Sequence, residues 1–421
     1  MSLTARYAVF TAETALVATL ILFPCSGPAG VAARVTLMIA GGAGVLAVLL
    51  LGGLPWRRHP IVVAMLTFLI VSEVSAVLSV VPTASAEDST KTLLRMLVVA
   101  LLLICAVPKP EGDFVRARRT AQALVVGGLL LAATGWGMWF GGFQTHWGGL
   151  VGPLHYNEIC MVLVPILSLA FAFLVTKPSW WHFLICTVLM TTALMTFSRI
   201  GWVAIAVLVV LWFWAAPKGR RWFVATATLG GATLALVVAG PNIAHFDTVV
   251  DNAILLREDS TTELDGRVMK TMNIMDLVTL NDRLDYAWKP ALRLISERPL
   301  FGWGYGTSTF AHLTLGDGPL LGHEHNAVLA IAVQSGLVGV VAWLFWLAVL
   351  LWRGWMSRRL DGHDPKRWLL TGVAIAVVAE YLVQGLGEPV GNYRMGVLLV
   401  VLSAIVVLAD GPPVSWLKPG E

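Results

Sequence analysis

Uncharged apolar runs recur from one end of the chain to the other. Each is close to the roughly 17–25 residues a helix needs to cross a bilayer. About twelve such spans can be drawn, over 7–24, 31–52, 60–82, 92–108, 121–140, 157–176, 180–197, 201–217, 223–241, 326–352, 368–387 and 395–410. Only 13% of the 421 residues are charged and 57% are hydrophobic, against about 25% charged in a soluble domain. This composition excludes a soluble globular protein and predicts an all-α polytopic membrane protein. The first run, "YAVFTAETALVATLILF", contains Glu13 and lacks a small-residue cleavage site. It is therefore expected to stay as a helix and not to be removed as a signal peptide.

The loops supply an independent check. Arg57 and Arg58, then Lys109, Arg116, Arg118 and Arg119, then Lys177, fall in alternate loops. So do Lys218, Arg220 and Arg221, and then Arg353, Arg358, Arg359, Lys366 and Arg367. The positive-inside rule places these loops, and both termini, in the cytoplasm. The net charge of +4 is thus spread over membrane-flanking loops, with membrane lipids as the expected surroundings and no nucleic-acid partner. Cys25, Cys105, Cys160 and Cys186 lie in or beside apolar runs without a CxxC pair. They imply neither a disulfide framework nor a zinc site.

One connection breaks the pattern. Residues 1–241 hold the first nine spans and 326–421 the last three, with 242–325 between them. That stretch is far too long for a simple connector and is expected on the extracytoplasmic side. Within it, Leu284, Ala287, Trp288, Ala291, Leu292 and Ile295 recur at helical spacing. Pro290 is expected either to kink this helix or to begin a second one at its first turn. The apolar stripe should lie on the membrane surface or against the bundle. "PLFGWGYG" comes next, its close glycines predicting a tight turn.

Chemistry-bearing residues gather toward the same side. His325 and Asn326 stand where the insertion meets the tenth span; nine residues then precede Gly336, and two more precede Gly339. These glycines, about one turn apart, would admit a neighbouring helix closely. "HEHNA" is not the HExxH zinc motif, since Ala327 occupies its last position, and only His245 and His312 stand elsewhere in the insertion. Arg199, in "MTFSRIGW", lies between the seventh and eighth spans, at the same expected face. An arginine at a helix end is ordinarily a snorkelling anchor. Here the charge bias of the loops makes it unexpected, and it could face into the bundle. The insertion adds Arg257, Arg267, Lys270, Arg283, Lys289, Arg293 and Arg298. Several guanidinium groups near a histidine suit a pyrophosphate, whose oxygens they bridge bidentately. The intramembrane acids Glu13, Glu73 and Glu380 raise a competing reading, an ion-coupled transporter, with Arg95 or Arg394 as possible structural counter-charges.

Three segments carry a family resemblance. "HNAVLAIAVQSGLVG" resembles the His-Asn-x9-Gly-x-x-Gly signature of the O-antigen ligase and polymerase superfamily. "DRLDYAWKPALRLISERPLFGWGYGTSTF" and "TFSRIGW" resemble its arginine-bearing segments. The resemblance implies a GT-C-like membrane glycosyltransferase in the bacterial inner membrane, with its active site facing the periplasm. It implies an undecaprenyl-pyrophosphate-linked glycan as donor, lipid A–core as acceptor and no metal cofactor. His325 would be the general base, and Arg199 and Arg283 would stabilise the leaving pyrophosphate. Arg267, His323, Asn326 and Tyr305 are the further substrate-binding positions. One large insertion resembles the ligase branch more than the polymerase branch, which stays as the alternative.

Overall fold

The computed structural model describes residues 11, 59–79, 114–142, 156–243, 261–264, 267–270, 284–304, 324–387 and 393–410. Apart from residue 11, the expected spans 7–24, 31–52 and 92–108, with Glu13 and Arg95, lie outside the described residues. Nine long apolar helices coincide with the other nine expected spans. They are α1 (Pro60–Val77), α2 (Phe114–Phe140), α3 (Tyr156–Thr176), α4 (Trp180–Met195), α5 (Arg199–Ala215), α6 (Arg221–Ile243), α8 (Ala327–Met356), α9 (Pro365–Ala376) and α10 (Tyr393–Asp410). Six helical segments among the described residues are long and apolar enough to cross a membrane; α4, α5 and α10 are shorter but equally apolar.

Between α6 and α8 the described residues hold a short hairpin of β1 (Thr261–Leu264) and β2 (Arg267–Lys270). The strands pair antiparallel, with Leu264 opposite Arg267. This is a small departure from the all-α expectation. A π-helical turn (Leu284–Trp288) then leads into α7 (Lys289–Glu297). Pro290 falls in the first turn of α7, where its missing N–H would be unpaired anyway. The proline thus begins a second helix and does not kink a longer one.

The centre of the bundle is α3, whose apolar side chains are buried almost throughout. Polar ties hold it to its neighbours. Ser168 Oγ donates to Gly372 O (2.7 Å) on α9 and accepts from Trp212 Nε1 (3.0 Å) on α5. At one end of the bundle the basic residues collect. Arg220 donates to the last carbonyls of α3, including Thr176 O at 3.0 Å. Arg358 sits over the rings of Trp214 (4.4 Å) and Trp355 (4.0 Å). The buried Asp410 carboxylate draws α8, α9 and α10 together there, with Arg353 Nε at 2.6 Å and Lys366 Nζ at 4.0 Å. His59 caps α1 beside this group. Burial and the nearby Arg353 push its imidazole down to about 3, so it is neutral at physiological pH.

Helix α8 is broken. Gly336 has φ 67° and ψ −173°, far from helical values. In an unbroken helix the N–H groups of Leu337 and Val338 would reach Val333 and Gln334. They donate instead to Pro299 O (2.8 Å) and Leu300 O (3.3 Å). The vacated carbonyls of Val333 and Gln334 accept from Trp303 N (2.8 Å) and Gly304 N (3.0 Å). The loop "PLFGWG" is therefore inserted into the helix, and the backbone groups freed by the break are paired within protein, as a membrane-embedded break requires. Two serines of α1 seal the joint. Ser75 Oγ is 2.8 Å from Phe301 O and 2.6 Å from Gln334 O, and Ser79 Oγ donates to Trp303 O (2.7 Å). The spacing of Gly336 and Gly339 points to a neighbouring helix; what Gly336 admits is the loop's backbone.

Candidate active site

The break anchors the insertion beside His325. α7 buries Ala291 and Leu294 against Val333 of α8, with Ile295, Leu329 and Trp303 around them. Trp303 Nε1 donates to Leu294 O (3.0 Å), and Arg298 lies over the Trp303 ring at 5.1 Å. The apolar stripe thus packs on the bundle, but Leu294 takes the core position where the spacing points to Leu292, which is 57% exposed.

At the head of α8, Asn326 is the N-cap, its Oδ1 accepting from Leu329 N (3.0 Å). Its Nδ2 donates to Leu386 O (3.2 Å), at the end of the π- and 3₁₀-helical extension of α9 (Val377–Leu386). That extension also packs against α5. α9 starts at the basic end, beside Thr176 and Lys177, so residues 384–386 mark the opposite end. Helices α3, α4 and α5 alternate through short turns, which brings Arg199, the first residue of α5, to that same end. His325 and Arg199, far apart in sequence, therefore share the end opposite the basic loops. His325 is half-buried, and Arg199 is exposed at the rim, not facing into the bundle as it could have done.

The two segments share a further property. Phe197 (φ 54°) and His325 (φ 49°) are the non-glycine residues with left-handed backbone among those described. Such conformations are costly and persist where surrounding structure enforces them, often at functional sites. At the Phe197 turn the enforcement is visible. Ser198 caps α5 through Gly201 N (3.3 Å), and Trp202 Nε1 reaches back to Leu194 O (3.0 Å). Gly201 itself is pressed against Cys160 Sγ of α3, leaving no room for a side chain.

Three groups here escape a reading of the sequence alone. Ser75 and Ser79 lie at helical spacing from Ser72 in an otherwise apolar run, a legible signal of a polar helix face. Gln384 is fully buried in the α9 extension, and neither atom of its amide has a partner among the described residues. Nearby Glu380 is also fully buried, while Glu73 on α1 is half-buried. Arg283, His323 and Tyr305 lie outside the described residues. Arg267 is described in its backbone alone, as the first residue of β2, and Arg394 likewise within α10. Among the described residues no cluster of three or more His, Cys, Asp or Glu side chains is arranged to hold a metal ion.

Asn326→Ala is expected to lower stability by about 1 kcal/mol through loss of the N-cap. Asn326→Asp keeps the capping oxygen and isolates the tie to Leu386. A thermal midpoint for the Asp variant between those of the parent and the Ala variant is the expected result.

A bundle of apolar helices, one of them broken to seat the loop of the insertion beside a strained histidine, defines a multi-pass helical membrane protein. Residues 182–344 match the O-antigen ligase family model, a stretch running from α4 through both strained turns and the insertion to the break in α8. This match, covering that segment of the chain, supports a member of the O-antigen ligase superfamily. No curated protein matches the sequence at a significant level.

Proposed function

We propose that the protein is an O-antigen ligase, transferring a glycan from undecaprenyl pyrophosphate to lipid A–core at the periplasmic face of the inner membrane. The acceptor hydroxyl attacks the anomeric carbon of the donor, and its proton passes to His325. The bond from that carbon to the pyrophosphate oxygen breaks on the opposite face, so configuration inverts. Lipid pyrophosphate leaves with the electron pair. Arg199 and Arg283 offset the charge building on it, a contribution that fixed cations make more cheaply than water. Arg267 assists in binding the anion, and His323, Asn326 and Tyr305 orient the substrates. Imidazole is the side chain most often used as a general base in such steps. No metal is required, because arginines carry the leaving-group charge.

The observation that carries this reading is the gathering of His325 and Arg199 at one end of the bundle, both within the matched family segment. The twelve-span, GT-C-like topology with cytoplasmic termini belongs to the same proposal.

Purified protein given lipid-pyrophosphate-linked glycan together with lipid A–core is expected to place glycan on the core, and to do so undiminished in EDTA. A ladder of longer lipid-linked glycans formed without acceptor would instead make it a polymerase. Ion-coupled flux in proteoliposomes, with no glycosylated product and with sensitivity to Glu73 or Glu380 substitution, would make it a transporter.

A further inference from the structure

At the basic end, remote from His325, the bundle holds a cavity of about 280 Å³. It opens between the first turn of α2, the α3–α4 turn and the start of α9. Its cationic and titratable lining residues are Arg118, Lys177, His182 and His363, and its apolar walls include Phe114, Phe173 and Leu369. Among the described residues no carboxylate lines it. In the turn before α9, Asp361 Oδ1 accepts from His363 N (3.0 Å), and Asp364 Oδ1 accepts from Lys366 N (2.8 Å). Arg118 and Lys177 therefore line a half-apolar hollow to which no described residue contributes a carboxylate.

Three features fix what such a hollow can hold. His182 is built in: its Nδ1 donates to Lys177 O (3.0 Å) and lies 2.7 Å from Ser179 Oγ, while its ring stacks on Phe173. Trp180 and Trp181, stacked at 3.5 Å and 62% and 58% exposed, stand immediately beside it. Exposed tryptophans in this position mark the headgroup level of a bilayer. The charge rule assigns this end to the cytoplasmic side, whose leaflet carries the anionic lipids. The volume suits a headgroup, with acyl chains lying outside along the apolar helices.

We propose that this cavity is a binding site for the phosphate headgroup of an anionic phospholipid, held by Arg118 and Lys177 against the Phe114–Phe173 wall. The inference is independent of the reaction proposed for His325. The guanidinium bridges phosphate oxygens, the ammonium adds a point charge, and the aromatic walls contact the glycerol region.

The test uses the full chain purified in detergent, titrated with cardiolipin, with phosphatidylcholine and with free glycerol phosphate, monitoring the thermal midpoint and, by native mass spectrometry, bound lipid. Each cation near a membrane surface contributes about fivefold in affinity, so Arg118→Ala with Lys177→Ala should weaken cardiolipin binding about thirtyfold. A control pair, Arg119→Ala with Lys218→Ala, removes equal charge outside the cavity and should leave binding unchanged. Both pairs alter exposed side chains, so folding is not at stake. Cardiolipin bound equally by the cavity variant, or weakened as much in the control, would overturn the site. Equal stabilisation by phosphatidylcholine or by free glycerol phosphate would overturn the anionic lipid as its occupant.

Discussion

Replacing His325 with alanine is expected to slow glycan transfer by about 10²–10⁴-fold, the range over which a positioned general base contributes. Membrane insertion and thermal midpoint should stay close to those of the parent. The backbone at this residue allows a sharper version of the test. His325 has φ 49°, a conformation that is costly for any residue with a β-carbon and nearly free for glycine. If the histidine mattered only as a structural element of the turn, His325→Gly would relieve strain and keep activity. If the imidazole is the base, His325→Gly will be at least as stable as His325→Ala and equally inactive. Partial recovery of the Gly variant by added imidazole would assign the loss to the missing base. A correctly inserted Gly or Ala variant with near-parental transfer would remove His325 from the reaction.

Much of this architecture is legible in the sequence because the signals are local. A run of uncharged apolar residues is a helix in a membrane wherever it occurs, and nine of the expected spans meet nine described helices. Alternation of basic loops fixes the end of the bundle at which Arg220, Arg353 and Arg358 are found. The features that escape a sequence reading depend on pairing between distant segments. Gly336 sits in "VQSGLVG", which has the look of a helix-packing glycine. Its actual partner is the backbone of "PLFGWG", and no local pattern announces that a loop will be threaded into a helix. The misplacement of Leu292 has a related cause. Ala287, Ala291 and Leu294 stand at i, i+4 and i+7, a stripe as helical as the one through Leu292, and the apolar residues on both edges leave the choice of face to tertiary packing. Packing against Val333 selects the face with Ala291 and Leu294. Gln384 is hidden because a single amide in an apolar run gives no hint of whether it will be buried unpaired or face water. Arg199 and His325 are legible as a pair because both interrupt apolar runs at the same expected face. Only the strain at Phe197 and His325 needs coordinates.

Gly336→Ala should be the most damaging single-methyl change in the described structure. Two penalties act at once. The residue has φ 67°, and an added β-carbon would lie against the Leu300 carbonyl and the Phe301 nitrogen, the latter at 2.5 Å. Nothing flexible is there to yield, since the obstructing atoms are backbone. Relief requires expelling residues 299–304 from the break, which abandons the four backbone hydrogen bonds of Pro299, Leu300, Trp303 and Gly304 and those from Ser75 and Ser79. Each polar group left buried without a partner costs about 1–3 kcal/mol. A loss of about 4 kcal/mol or more is therefore expected, beyond the ordinary range of point substitutions. The readouts are a large fall in thermal midpoint and in the yield of monodisperse protein. Gly302 meets the break from the other side, with φ 67° and Val333 O 2.5 Å from its would-be β-carbon. Because either substitution opens the same joint, Gly302→Ala should resemble Gly336→Ala, and the double variant should be little worse than either alone. Gly137→Ala, where a β-carbon would meet nothing within 4 Å, should be neutral or slightly stabilising. If Gly336→Ala melts like Gly137→Ala, the threaded loop is not what holds the insertion. If it collapses as expected, transfer must fall with it, because α7 and the head of α8 would lose the support that keeps His325 in its strained conformation.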